Sequence, residues 1–293
     1  MTHDNRQFTP NGGLSLDDHL SRSHIVWKKS GDQAWKEIQQ QIQKQPVITP
    51  LDRRTLYARY SIAAVLILLF GITLFIRFYS KVTTTEYGHP MAITLPDGSE
   101  VNLQAGSKLA WNPLWWKISR IATLQGEAFF HALPGGRFTV KSEQGSTTVL
   151  GTSFNILARD NRYEITCMTG QVKAEAKTTK QQIIINAGER AILNTSGIFI
   201  LKKNNNTEHI SGWENNMFTF TSAPLQEVWK EVMRQYGIIL YYPVTNHLYT
   251  GFFSRSMEVE TVLNLIGKPF GLTFIKKAEN EYEIIPDKIQ TGP

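Results

Sequence analysis

Ser61–Ile76 reads S-I-A-A-V-L-I-L-L-F-G-I-T-L-F-I, sixteen residues with no charge and two hydroxyls. Apolar side chains on every face suit lipid, because the helix of a soluble core usually keeps one polar stripe. As a helix the run rises about 24 Å, and Tyr60, Phe78 and Tyr79 lengthen it toward the roughly 30 Å of a bilayer's hydrocarbon core. Arg77 can snorkel from its end to the headgroups. The reading is a single-pass membrane protein with a transmembrane helix at 59–79, in contact with the lipid bilayer.

The cations flanking the helix set its direction, since Lys and Arg are retained on the cytoplasmic side. Lys44, Arg53, Arg54 and Arg59 precede it, whereas Arg77 and Lys81 follow. The N-terminus is therefore expected inside and the longer C-terminal part outside. The apolar run lies about sixty residues from Met1, which does not fit a cleaved signal peptide. Of the formal +6 charge, half sits in the first 59 residues, which hold nine Lys+Arg and six Asp+Glu. Anionic headgroups attract such a segment. The basic residues are interleaved with acids and accompany no helix-turn-helix or zinc-finger pattern, so direct nucleic-acid binding is not expected.

Residues 1–58 form the inner segment. Leu16, Leu20, His24 and Trp27 recur at helical spacing, with Ser15 placed to cap. Gly31 interrupts, and a second helix opens near Asp32 with Trp35, Ile38 and Ile42 on one face. Pro46 and Pro50 end it. Two such helices enclose too little core to be stable alone, and stripes carrying tryptophans suit helix-in-groove recognition by a partner. Packing of the helices on each other or on the membrane surface is the alternative.

Beyond the span, 80–91 reads as a hydrophilic linker, and 92–212 as an all-β domain. Ile93 and Leu95 lead into Pro96-Asp97-Gly98, a tight-turn sequence, and Val101 and Leu103 resume alternation. Short alternating runs separated by Gly, Asn and Asp turns continue to Leu193, with hardly room for a ten-residue helix before Leu201. They indicate a sandwich, barrel or solenoid.

An internal repeat marks the third region, 213–287. P-L-Q-E-V-W-K-E-V-M-R-Q-Y-G-I-I-L at 224–240 matches E-V-E-T-V-L-N-L-I-G-K-P-F-G-L-T-F at 258–274, at an offset of 34 residues. Leu225 aligns with Val259, Val228 with Val262, Val232 with Ile266, Tyr236 with Phe270 and Gly237 with Gly271. Each copy is an amphipathic helix closed by an aromatic and a glycine αL cap, then a strand. With preceding strands at 217–220 and 248–252, each copy reads as a βαβ unit in a small α+β domain whose last strand is 282–285.

Nothing signals catalysis: no nucleophile elbow, zincin, P-loop or dinucleotide fingerprint is present, and the seven histidines are scattered. No enzyme activity, metal or cofactor is expected. Glu127 in G-E-A-F-F is read as satisfying a turn amide rather than acting as an acid. Cys167, the sole cysteine, lies in an alternating run and is read as a small buried hydrophobe.

The chain resembles the FecR-type transmembrane anti-sigma regulators, in the form common in Bacteroidetes. The β region carries L-P-D-G-S at 95–99, L-Q-G-E-A-F-F at 124–130, F-T-V at 138–140, V-L-G-T-S-F-N-I at 149–156 and G-Q-V at 170–172. F-T-F-T-S-A-P-L-Q-E-V at 218–228 and G-F-F-S at 251–254 resemble the family's C-terminal domain. The inner segment is shorter than is usual, with only 35–42 resembling the end of the customary helical region.

The resemblance implies a signal relay at the bacterial inner membrane, with the N-terminus in the cytoplasm and the C-terminus in the periplasm. The inner segment would bind an extracytoplasmic-function sigma factor, through Leu16, Leu20, Trp27, Trp35, Ile38 and Ile42. The outer part would receive a signal from the N-terminal signalling domain of a TonB-dependent outer-membrane transporter. Strand addition at a sheet edge would place Phe218, Phe220, Tyr249 and Phe252 at that contact. Membrane-embedded and periplasmic proteases would then free the inner segment. The β region is expected to be a solenoid-like or two-sheet FecR domain. The rival reading is a membrane-anchored periplasmic glycan- or peptide-binding module without sigma regulation, which has no use for Trp27 and Trp35 inside the cell.

Overall fold

The computed structural model describes residues 28–44, 53–203, 213 and 216–287. The expected helix carrying Leu16, Leu20 and Trp27 lies outside the described residues. Helix α1 spans Gly31–Gln43. Ser30 caps it: its hydroxyl accepts from the Gln33 amide, while the Gln33 side chain accepts from the Ser30 amide, a reciprocal capping box. Lys29 and Glu37 form an exposed ion pair at 2.6 Å.

Helix α2 spans Arg53–Phe78. Its Arg59–Phe78 portion is long and apolar enough to cross a membrane, and none of it is buried within the protein. The two hydroxyls of the run do not conflict with lipid. Ser61 donates to the Tyr57 carbonyl and Thr73 to the Leu69 carbonyl, each at 2.8 Å, so both are satisfied within the helix.

Thirteen strands follow: β1 Lys81–Thr84, β2 Met91–Thr94, β3 Glu100–Leu103, β4 Lys108–Trp111, β5 Arg120–His131, β6 Phe138–Lys141, β7 Gly145–Val149, β8 Ser153–Arg159, β9 Arg162–Cys167, β10 Gln171–Ala176, β11 Gln182–Asn186, β12 Glu189–Leu193 and β13 Phe199–Lys203. They make one hydrogen-bonded sheet folded into two leaves that share β5. The first half of β5 pairs with β4 and, in parallel, with β6. Its second half pairs with β3 and β8. The leaves close on a core that includes Trp116, Phe130, Phe138, Phe154 and Ile156, all at most 1% exposed. Phe130 and Phe154 stack at 5.1 Å between centroids.

Gly126 sits where β5 passes from one leaf to the other. Its φ is +112°, and a Cβ there would lie 2.7 Å from the Ser107 Cα. Only glycine accepts both the backbone angle and the approach. The expected linker is largely structured: β1 pairs with β4 from Lys81↔Trp111 to Thr84↔Lys108. Its run K-V-T-T reads as hydrophilic because an edge strand needs few apolar residues.

The C-terminal part contains β14 Met217–Pro224, α3 Leu225–Tyr236, β15 Ile239–Tyr241, β16 Leu248–Ser254, α4 Val259–Gly267, a 3₁₀ turn Lys268–Phe270, β17 Leu272–Ala278 and β18 Glu281–Pro286. Both repeat glycines cap in the left-handed conformation, Gly237 at φ 65° and Gly271 at φ 63°. The matched Val228, Val262, Val232 and Ile266 are fully buried. Pro269 explains the one local difference between the copies: lacking an N–H, it turns the end of the second helix into the 3₁₀ turn.

Each copy keeps the order strand, helix, strand, but its two strands do not share a sheet. The leading strands β14 and β16 pair antiparallel with each other. The trailing strands β15 and β17 flank β18, parallel and antiparallel respectively. The two copies therefore interlock, which local periodicity cannot reveal.

Candidate functional site

Three groups of residues bear on function. The first is the stripe of α1. Trp35, Ile38 and Ile42 are 61%, 46% and 61% exposed, and no described residue covers them. Their spacing of three and four places them on one face, as expected. Arg53 and Arg54 open α2, Arg59 begins its apolar portion, and Arg77 ends it.

The second group was not legible in sequence. Arg159, at the end of β8, binds Glu127 of β5 at 2.9 Å and Glu231 of α3 at 3.0 Å. All three side chains are at most 14% exposed. Glu231 also binds Arg234 at 3.0 Å and accepts from the Gln235 amide at 2.7 Å. Arg234 reaches Asp160 at 3.2 Å. Glu127 accepts from Asn155 at 3.0 Å, so it serves a buried ion-pair network from within a strand and not the amide of a turn.

The two carboxylates experience different fields. Burial pushes Glu127 above the usual carboxylate range, and the charge of Glu231 outweighs part of what Arg159 offers it. Burial also opposes ionisation of Glu231, but Arg159 and Arg234 together hold it below that range. The cluster joins the β domain to the C-terminal domain through the Arg159–Glu231 ion pair. Beside it the loop after β1 closes the contact: the Gly88 amide donates to the Arg234 carbonyl at 2.7 Å, and Arg255 donates to the Gly88 carbonyl. A cleft of about 310 Å³ lies between the domains, lined by Arg162, Glu164, Arg190 and Glu227 among others.

The third group is the paired strands β14 and β16. Phe218 and Tyr249 are 8% and 5% exposed and belong to the domain core. Phe218 stacks on Phe253 at 5.1 Å, and half-buried Phe220 meets Tyr249 edge-on at 6.1 Å. Only Phe252 of the four expected signal-binding residues presents a large exposed side chain, at 59%. Strand alternation accounts for the division, since successive residues face opposite sides.

Among the described residues no three His, Cys, Asp or Glu are placed to hold a metal ion. Cys167 is buried, and burial pushes its thiol up to about 11, away from the reactive thiolate.

Two crystal structures of a candidate anti-sigma factor from Parabacteroides distasonis ATCC 8503 are similar to this chain. Each is 24% identical, with TM-scores of 0.64 and 0.63; they cover 71% and 70% of this chain and 99% of their own. The likeness is one of fold. No curated protein sequence matches the chain. The family model described as FecR protein matches residues 81–173, and that described as FecR, C-terminal matches 217–285. These matches fall on the two-leaved β domain and on the interlocked repeat, and together they span more than half of the sequence: the chain belongs to the FecR family.

Proposed function

We propose that this protein is an anti-sigma factor of the bacterial inner membrane. It crosses the bilayer once through α2, holds an extracytoplasmic-function sigma factor with its inner segment and releases or activates it on a periplasmic signal. The observation that supports this reading is the exposed stripe of Trp35, Ile38 and Ile42, which precedes the apolar helix in the chain while two FecR-family domains follow it. A stripe of that kind is stable when a groove receives it. Leu16, Leu20 and Trp27 extend the proposed sigma contact.

The signal is proposed to come from the N-terminal signalling domain of a TonB-dependent outer-membrane transporter, docking by strand addition on the β14–β16 ribbon. Phe252 is the exposed anchor there. Phe218, Phe220 and Tyr249 shape the ribbon from inside. Membrane-embedded and periplasmic proteases then free the inner segment.

Co-purification of the detergent-solubilised full chain with each extracytoplasmic-function sigma factor of the same organism tests the reading. One stoichiometric complex, lost in Trp35→Ala, is the expected result. A folded chain that captures none of them overturns the anti-sigma role and leaves the periplasmic binding module.

A further inference from the structure

The loop joining β4 to β5, N-P-L-W-W-K-I-S at 112–119, lies against the end of the apolar helix. The Asn112 side-chain amide donates to the carbonyls of Ile76 at 2.7 Å and Arg77 at 3.0 Å. These carbonyls belong to the last turn of α2, where no further helical amide is available to bond them. The helix end is thus clamped to the β domain, and the height of the loop relative to the span is fixed.

The loop is rigid and faces two ways. Asn112 Oδ1 accepts from the amides of Leu114 and Trp115 at 3.0 and 2.9 Å, and the Ile118 and Ser119 amides both donate to the Trp115 carbonyl at 3.0 Å. Trp116 enters the core, 1% exposed, and meets Phe138 at 5.6 Å. Leu114 and Ile118 point the other way, 53% and 70% exposed. Two cations lie on indole faces, Arg77 over the partly exposed Trp115 at 5.7 Å and Lys81 over the buried Trp111 at 5.4 Å. Lys117 stands exposed between Trp116 and Ile118.

Indole rings, lysine and arginine, with a few aliphatic side chains, make up the chemistry that settles at the boundary between headgroups and acyl chains. We propose that the 112–119 loop is a second membrane contact, seating Leu114, Trp115 and Ile118 in the lipid interface of the leaflet from which α2 emerges. The loop follows the helix terminus without a gap, and lipid is the occupant that this continuity supplies. The inference rests on α2 spanning the bilayer.

The test places a nitroxide on Ile118→Cys in the full chain carrying Cys167→Ala, with one molecule per lipid nanodisc of phosphatidylcholine and phosphatidylglycerol. Collision with oxygen and with a water-soluble nickel chelate is compared with labels at Lys177→Cys, in the turn after β10, and at Leu69→Cys, within the span. The expected result is a ratio of oxygen to nickel collisions several-fold higher at Ile118 than at Lys177. A ratio at Ile118 equal to that at Lys177, with Leu69 reading as lipid, overturns the loop contact and leaves the span intact. An aqueous reading at Leu69 overturns the span and the loop contact with it. Shielding of Ile118 from both reagents shows protein covering the patch and also overturns the proposal.

Discussion

Arg159 of the β domain stands 3.0 Å from Glu231 on the first helix of the C-terminal domain, 72 residues later in the chain. It stands 2.9 Å from Glu127 on its own side. One guanidinium thus serves two carboxylates, and among the described residues Glu231, unlike Glu127, is in direct ion-pair contact with a second guanidinium, that of Arg234.

This asymmetry separates two isosteric substitutions. Glu231→Gln leaves Arg159 and Arg234 short of a buried counter-charge and is expected to lower stability by about 2–3 kcal/mol. Glu127→Gln removes a carboxylate whose ionisation is disfavoured by burial, and its effect is expected to stay within about 1 kcal/mol, with stabilisation the favoured sign. Urea unfolding at neutral pH followed by tryptophan fluorescence checks the order of the two variants. Equal losses would show that Glu127 carries the same weight as Glu231.

Asp97 gives a pH prediction. Its carboxylate is partly buried, but hydrogen bonds from Ser99 and the charge of Arg120 outweigh burial and hold it below the ordinary range. A depressed folded value means that its contribution is complete above the unfolded pKa near 3.9 and fades as pH falls through the folded value. Asp97→Asn is expected to lose about 2 kcal/mol at neutral pH, with the difference from wild type shrinking toward strongly acid pH. Thermal melts across that range read it.

Gly126→Ala tests the shared strand. At φ +112° with Ser107 Cα 2.7 Å from the new methyl, the substitution is expected to cost about 2–4 kcal/mol. Because β5 belongs to both leaves, loss of amide protection is expected in β4 and β8 alike. Protection lost on one side alone would mean that the leaves open separately.

Trp35→Ala is expected to weaken the proposed sigma complex by about 2 kcal/mol, roughly thirty-fold in Kd. Trp35 is 61% exposed and α1 buries no residue, so the helix itself should survive the change, as circular dichroism would show. Binding unchanged in this variant removes Trp35 from the interface.

What the sequence discloses is local. The apolar run, the alternation of β5 and the two αL glycines each follow from a periodicity or a single residue's conformational range. The Pro96-Asp97-Gly98 turn follows likewise, with Gly98 at φ 84°. What it withholds depends on which distant elements meet. Arg159 looks like any strand-end arginine until α3 brings Glu231 to it. Lys81–Thr84 looks like a linker until β4 pairs with it, and the pairing of β14 with β16 separates strands that adjacency would join. Phe218 and Tyr249 share an aromatic texture with Phe252, but strand facing sends the first two inward.

Only Tyr79 and Ser80 separate the end of α2 from β1. The Tyr79 amide still donates to the Phe75 carbonyl at 2.9 Å, and Asn112 holds the carbonyls before it. Peptide-bond cleavage needs backbone that local opening has set loose. Between the end of α2 and β1 no such stretch exists while β1 remains zipped to β4. Peeling a four-residue edge strand therefore becomes the gatekeeping step for any cut made there, and a signal that loosens the β domain would act as a timer on the scissile bond without touching it.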